Sequence, residues 1–238
     1  MAGPDWAFVL DGATAPAGID SGCIHDVAWV VRNLAARIAS GLTLSADSLP
    51  DIVAEAIAGT CRAHADTCDI TNPSSPSSTV AVVRMRNGSL DYLSLADSPI
   101  VVENASGKVD CFVDDHTARL PSYTPEALRG LRNKPGGFWV ASTSPEAAHH
   151  AASGSMSLGD VRRIAVLSDG GSRYVGRFGL GTWGDLIEVL DDYGPVELIR
   201  RIRESELRET DEDRARKKLR GKVHDDATAL LVTGTSST

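Results

Sequence analysis

Aromatic side chains are scarce in this sequence, at 5% of 238 residues, and methionine is nearly absent, with three. No apolar run approaches the roughly 18 residues that a membrane span requires. The start, Met1-Ala2-Gly3-Pro4-Asp5-Trp6, has no basic region, and the apolar stretch Trp6 to Leu10 is too short for the core of a secretion signal. These absences predict a cytoplasmic protein that does not engage a membrane. There are four cysteines (Cys23, Cys61, Cys68 and Cys111), with no Cys-x-x-Cys pair among them. That spacing argues against structural zinc and against a disulfide framework, and predicts buried free thiols. Lysine and arginine are too few and too dispersed for phosphate-backbone contacts, and the formal charge of −8 argues against a nucleic-acid partner. The one basic stretch, Glu197 to Lys222, alternates in sign and reads as a solvated helix face. A P-loop and a Gly-x-Ser-x-Gly elbow are both missing. Gly176 to Gly181 does not follow a strand, as a dinucleotide fingerprint must.

Glutamate is also underused: of the 32 acids, 10 are Glu and 22 are Asp. Glu is the better helix former, so the excess needs a reason. Asp serves turns, caps and strand ends, and it is a short carrier of hard oxygen ligands.

With 42% hydrophobic and 24% charged residues, the chain can bury a full core. The loop-like Asn72 to Ser78 divides two kinds of pattern. Before it come a strand, Trp6 to Leu10, a helix from Val27 to Gly41 with Val30, Val31, Leu34 and Ile38 in register, and a second helix from about Pro50 to Cys68. After it, Thr79 to Met85 and Leu90 to Leu95 form a hairpin through Asn87-Gly88. Strands at Ile100 to Val102, Val109 to Val113, Phe138 to Ala141 and Arg163 to Leu167 follow. Helices return at Thr182 to Leu190 and Pro195 to about Leu219, and Thr228 to Val232 is the last strand. Runs of each type, without strict alternation, predict an α+β domain of mainly antiparallel sheets. Helices on both outer faces of a two-sheet sandwich would suit that order. No linker divides the chain, which reads as one domain over residues 1–238.

Four aspartates occupy equivalent places in unrelated segments. Asp11 ends Trp6 to Leu10, Asp97 follows Leu95-Ala96, Asp169 follows Leu167-Ser168, and Asp225 precedes the final strand. Carboxylates at several strand ends can converge on one rim, where they repel and raise each other's pKa unless a cation joins them. Oxygen donors without His or Cys select Mg²⁺, Mn²⁺ or Ca²⁺. Any single Asp-Gly is more readily an ordinary turn, and it is the repetition at four strand ends that weakens that reading.

The ordered set resembles the metal-dependent Ser/Thr protein phosphatases of type 2C (PPM-type), in their bacterial style. Val9-Leu10-Asp11-Gly12 is similar to the family's first Asp-Gly motif, and Ser77 to Val82 to its Ser/Gly-Thr-Thr-Ala strand. Leu95-Ala96-Asp97-Ser98 resembles Gly-Asp-Ser-Arg, and Asp115-His116-Thr117 the Asp-His-Thr that follows. Leu167 to Gly170 resembles Ser-Asp-Gly, and Asp225-Asp226-Ala227-Thr228 the closing Asp-Asn/Asp-x-Thr. The resemblance implies a four-layer αββα sandwich. It also implies a centre of two Mg²⁺ or Mn²⁺ ions held by Asp11, the Gly12 carbonyl, Asp169 and Asp225. A third ion would lie at Asp97 and Asp169, and Asp115 would support that region. The implied chemistry is hydrolysis of phosphoserine or phosphothreonine esters by a metal-bridged water, without a covalent phospho-enzyme. The substrate would be a phosphoprotein or a small phosphoester, and oligomeric state stays open.

Departures from the family pattern accompany the matches. The family places a phosphate-gripping Arg and an acidic pair on a strand upstream of the first Asp-Gly. The sequence begins five residues before Trp6, so either that strand lies upstream of Met1 or the protein works without it. Ala13 stands where some members have a His acting as general acid, and Pro99 replaces the Arg after Asp-Ser. Ser142 to Gly159 is a short Ala- and Ser-rich segment at the place of a flap, and Arg173 and Arg177 read as surface arginines. A catalytically weak or inactive pseudophosphatase of the same fold is therefore the alternative. A haloacid-dehalogenase-type enzyme is further off, because Ala13 occupies the place of its second Asp.

Among the remaining candidates, His149-His150 diverge too far on a helix to share an ion. His25, two residues after Cys23, lacks a third group to complete a nucleophile and reads as a helix-start histidine. His224 is placed to orient the neighbouring Asp225. Trp29, Trp139 and Trp183 read as core.

Overall fold

The structure, a computed structural model, describes all residues except 16, 17, 121, 123, 217–221 and 235–238. It starts with strand β1 (Trp6–Ala13), whose burial alternates as its sequence does. Trp6 and Phe8 pack against helices α1 (Val27–Leu44) and α2 (Leu49–His64), while Ala7 and Val9 face the second sheet. Asp26 and Ser48 cap the two helices by accepting from the amides of Trp29 and Asp51. Their apolar stripes, including Leu34, Ile38, Leu42, Val53 and Ile57, close the first hydrophobic layer.

β2 (Ser77–Arg86) and β3 (Ser89–Leu95) form the expected hairpin. Asn87 (φ 51°) and Gly88 (φ 76°) supply the two left-handed positions that its tight turn needs. β4 (Ile100–Asn104) and β5 (Val109–Phe112) continue the meander, and β6 (Ala152–Ser157), β7 (Val161–Leu167) and β8 (Ala229–Thr233) complete two antiparallel sheets. Their orders are β1-β2-β3-β6 and β5-β4-β7-β8. Between them lies a core of Ala7, Val9, Ala81, Val83, Ile100, Val102, Ile164 and Val166. Short helix α3 (Pro125–Leu131) lies between β5 and β6 in sequence. Helices α4 (Asp169–Gly176) and α5 (Trp183–Arg208) cover the outer face of the second sheet through Tyr174, Leu186, Leu190, Leu198 and Ile202. The result is the αββα sandwich. Among the described residues, no helix is long and apolar enough to cross a membrane.

Three sequence expectations are corrected. Phe138 to Ala141 is not a strand; it makes only isolated bridges, Ser78 with Ala141 and Arg132 with Phe138. Its alternation is real, because Trp139 and Ala141 enter the helix-facing core while Phe138 and Val140 join a small cluster with Ala96 and Leu120. Its pairing with β2 stops at the single Ser78–Ala141 bridge, however, and the Val140 amide donates to the Asn133 side chain. Ser142 to Gly159, the segment at the place of a flap, contains an edge strand that was not expected, β6, hidden in sequence because its residues are small and polar. Finally, the last long helix ends at Arg208, and a separate turn of helix, α6, spans Asp211–Arg216. The break expected between the helices is present within α5, where Gly194 (φ 79°) precedes Pro195.

Candidate metal centre

The side-chain alternation of β1 directs Asp11, like Val9, toward the second sheet, but at the rim, where it is half-buried. Across β2 its partner is Thr79, whose Oγ1 accepts from the Asp11 amide at 3.2 Å and meets Ser98 Oγ at 2.6 Å. Gly12 is required by packing: a Cβ there would lie 2.7 Å from Val27 Cγ2 and 3.0 Å from Val31 Cγ2, so α1 could not approach β1.

Asp97 follows β3 after Ala96, which holds a left-handed φ of 66° at a place where the resembled motif has Gly. This turn is fixed from beneath by Asp114. Asp114 accepts from the Ala96 amide at 3.4 Å, from the His116 amide at 3.1 Å and closely from His116 Nδ1. The expected support from Asp115 is not found: that residue points outward and pairs with Arg119 at 2.7 Å. The buried member of the pair is its neighbour, with an Asp114 side chain only 2% exposed.

Asp169 is the first residue of α4, where an acid suits the helix dipole, and its Oδ1 accepts from the Gly170 amide at 2.6 Å. A Cβ on Gly170 would lie 2.1 Å from the Asp226 carbonyl oxygen, and one on Gly171 would lie 2.8 Å from the Thr228 carbonyl. The two glycines thus let the Asp225 loop close onto the start of α4. Arg173 then grips that loop, with Nη2 on Asp225 Oδ2 at 2.6 Å and Nη1 on buried Glu206 at 2.7 Å. Arg203 bonds both Glu206 and the Asp225 carbonyl, and His224 meets Glu206 at 3.0 Å.

Arg173 is therefore not a surface residue, and Arg177 pairs with Glu209 where both side chains are below 10% exposed. Nor is the charged stretch of α5 only a solvated face, because Glu206 is 1% exposed and organises the Asp225 segment. His224 acts through Glu206 and has no described bond to the Asp225 carboxylate.

Asp11, Asp97, Asp169 and Asp225 act electrostatically as one cluster. Burial raises the Asp11 pKa to about 8, helped by a hydrogen bond to Asp169 and by repulsion from Asp169, Asp225 and Asp97. Burial and Asp169 raise Asp97 to about 6. Asp169 is also raised, by burial first, against the pull of Asp11, Gly170 and Arg173. A carboxyl-rich rim in which protons resist leaving is one that a divalent cation would relieve, and the oxygen donor set fits Mg²⁺ or Mn²⁺. Arg173 occupies one oxygen of Asp225 and offsets part of that charge.

Beside Asp97 opens a cavity of about 350 Å³, whose walls include Thr14, Ile19, Ser74, Arg132 and Phe138. Arg132 donates to the carbonyls of Pro73 and Ser75 at 2.9 and 2.8 Å, and burial lowers its pKa to about 10. Its buried Nη2 has no hydrogen-bond partner among the described residues. Nothing in the spacing of the sequence marked this residue or Asp114.

Two antiparallel sheets between helix pairs, with acids from four segments at one rim, define a class of sandwich with a candidate cation centre. The family model for protein phosphatase 2C matches residues 2–223, and the chain belongs to that family of metal-dependent Ser/Thr phosphatases. No curated protein matches it by sequence. Among solved structures, it is similar to the catalytic domain of the serine/threonine protein phosphatase PstP in complex with two manganese ions. Identity is 15%, coverage is 87% of this chain and 83% of that one, and the TM-score is 0.50. It is also similar to the serine/threonine phosphatase Stp1 from Staphylococcus aureus, at 14% identity, 97% and 84% coverage and TM-score 0.50. A sex-determining protein of C. elegans gives TM-score 0.57 at 13% identity, with 95% of this chain covering 55% of that one. At these identities the likeness is one of fold.

Proposed function

We propose that the chain hydrolyses phosphoserine or phosphothreonine esters, with Asp11, the Gly12 carbonyl, Asp169 and Asp225 holding two Mg²⁺ or Mn²⁺ ions and Asp97 with Asp169 a third. The observation that supports this reading most is the convergence of four aspartates from separate segments, where burial first, and then the neighbouring carboxylates, raise the Asp11 pKa to about 8. When bound, such ions supply Lewis acidity, lowering the pKa of a water and offsetting charge on phosphoryl oxygens.

The protein's own groups have separable tasks. Arg173 and Arg203 hold the Asp225 loop in place, and Gly170 permits its close approach. Asp114 fixes the turn that carries Asp97. Arg132, which lines the cavity beside Asp97 and keeps one buried guanidinium nitrogen without a partner among the described residues, is the group we assign to binding the substrate phosphate.

Turnover of p-nitrophenyl phosphate with and without Mn²⁺ tests the reading. Metal-dependent release that disappears in Asp169→Ala and Asp225→Ala is expected. Turnover that survives chelation, or a phospho-aspartate trapped on Asp11, would overturn it. Mn²⁺ binding without turnover would favour the pseudophosphatase.

A further inference from the structure

The four cysteines, dispersed in sequence, are not all dispersed in space. Cys23 and His25, in the loop before α1, face His64 and Cys68, at and just beyond the end of α2. One sulfur or imidazole nitrogen from each lies within 4.8 Å of all the others. Cys23 Sγ is 3.5 Å from His64 Nδ1 and 3.8 Å from His25 Nδ1, and Cys68 Sγ is 3.4 Å from His25 Nδ1. The two sulfurs are 3.1 Å apart, and all four cysteines of the chain are free thiols.

We propose that Cys23, His25, His64 and Cys68 bind one Zn²⁺ ion in a closed structural site, separate from the aspartate rim. Tetrahedral zinc, with bonds of about 2.0–2.3 Å, separates its ligand atoms by roughly 3.3–3.8 Å. The three sulfur–nitrogen distances already fall in that range, and the sulfurs need to part by about 0.6 Å. Two thiolates with two imidazoles are a borderline-soft donor set that selects zinc over the Mg²⁺ or Mn²⁺ suited to the aspartates. Four protein ligands leave no open position, so the site would hold structure and not perform catalysis.

The surrounding chain is built to present these ligands. His64 and Cys68 stand at i and i+4, one above the other on a single turn, and the Cys68 amide donates to the His64 carbonyl at 3.0 Å. The opposite loop is stitched to the segment after Cys68. The Asp69 amide donates to the Gly22 carbonyl at 2.8 Å, and Ser75 Oγ to the Ser21 carbonyl at 3.4 Å. Gly22 has φ 67°, and a Cβ there would lie 2.9 Å from Asn72. Trp29 is not a core residue: its ring stacks on His25 with centroids 4.0 Å apart and lies 5.3 Å from His64, walling both imidazoles. A disulfide between Cys23 and Cys68 is the rival use of the two sulfurs, but it gives neither imidazole a role.

The test uses the full reduced chain and does not depend on the phosphatase reading. Elemental analysis after expression with zinc should find one Zn²⁺ per chain, retained in Asp169→Ala and lost in the double variant Cys23→Ser/Cys68→Ser. Co²⁺ titrated into the reduced, metal-free protein should give tetrahedral d–d bands with thiolate charge transfer, altered in His25→Ala and unchanged in Cys111→Ser. The cobalt spectrum decides the matter if the double variant does not fold. No zinc or cobalt uptake by the reduced chain, zinc kept by the double variant, or a Cys23–Cys68 disulfide in freshly isolated protein would overturn the proposal. Loss of phosphatase activity alone would not bear on it.

Discussion

Gly170 meets Asp226 so closely that a single added carbon would sit 2.1 Å from the Asp226 carbonyl oxygen. This approach brings the end of β7 and the start of β8 together, and with them Asp169 and Asp225. The obstructing atom is backbone, so the substitution cannot be relieved by a side-chain rotation. Gly170→Ala should cost about 1–3 kcal/mol as overpacking, or roughly 2–12 °C in a chain of this size. It should also weaken Mn²⁺ binding beyond measurement. Calorimetric melting with a Mn²⁺ titration checks both, and a variant that melts and binds like the parent would refute the argument.

Arg173 joins Asp225 to Glu206, an acid 1% exposed. Arg173→Met leaves that buried carboxylate without its main partner on α4, and removing one member of such a pair typically costs about 3–5 kcal/mol. Adding Glu206→Gln should restore part of the loss, since the unpaired charge is then gone. Denaturant melts of the two single variants and the double variant measure the coupling. Strict additivity would mean that Arg173 acts some other way.

The raised pKa of Asp11 sets a pH dependence of definite sign. Its folded value, about 8, lies above the ordinary carboxylate value of 3.8, so between these limits the folded state holds a proton that the unfolded chain has released. This contribution to stability is full below about pH 4 and is lost as pH rises toward 8. Metal-free protein should therefore lose stability from pH 5 to pH 8 more steeply than Asp11→Asn, in which no proton leaves. Mn²⁺, competing with that proton, should stabilise more at pH 8 than at pH 6. Parallel slopes for the parent and Asp11→Asn would contradict the assignment.

Arg132 is assigned to phosphate binding on its position and its free Nη2. Arg132→Lys should keep the positive charge but lose the fork geometry. The expected effect is a rise in KM of about tenfold or more, equivalent to about 1.4 kcal/mol, with weaker inhibition by inorganic phosphate. Unchanged KM and phosphate inhibition would remove Arg132 from the site.

Much of this arrangement was legible in the sequence, because strand and helix periods are local. The β1 alternation, the Asn87-Gly88 turn and the aspartates at the ends of β1, β3 and β7 all act through neighbouring residues. What escaped depends on contacts between distant segments. β6 carries too little apolar contrast to show a period, and Phe138 to Ala141 has the period without a continuous ladder to a neighbouring strand. Arg173 looked like a surface arginine because Glu206 lies 33 residues further along the chain. Asp114 and Asp115 are adjacent, and only the packing around Ala96 distinguishes them. The Cys23/His25 and His64/Cys68 pairs lack the familiar Cys-x-x-Cys spacing, although the i, i+4 relation of His64 and Cys68 was there to be read.

The central claim is tested most directly by phosphate release from a phosphothreonine peptide after all metal is stripped and Mn²⁺ is then restored, with Asp169→Ala run beside the parent. Several kcal/mol of charge stabilisation from the ions corresponds to about a thousand-fold or more in rate. The account predicts no release without metal, recovery on adding Mn²⁺, and no recovery in Asp169→Ala. Equal release with and without Mn²⁺, or full activity in Asp169→Ala, would contradict it.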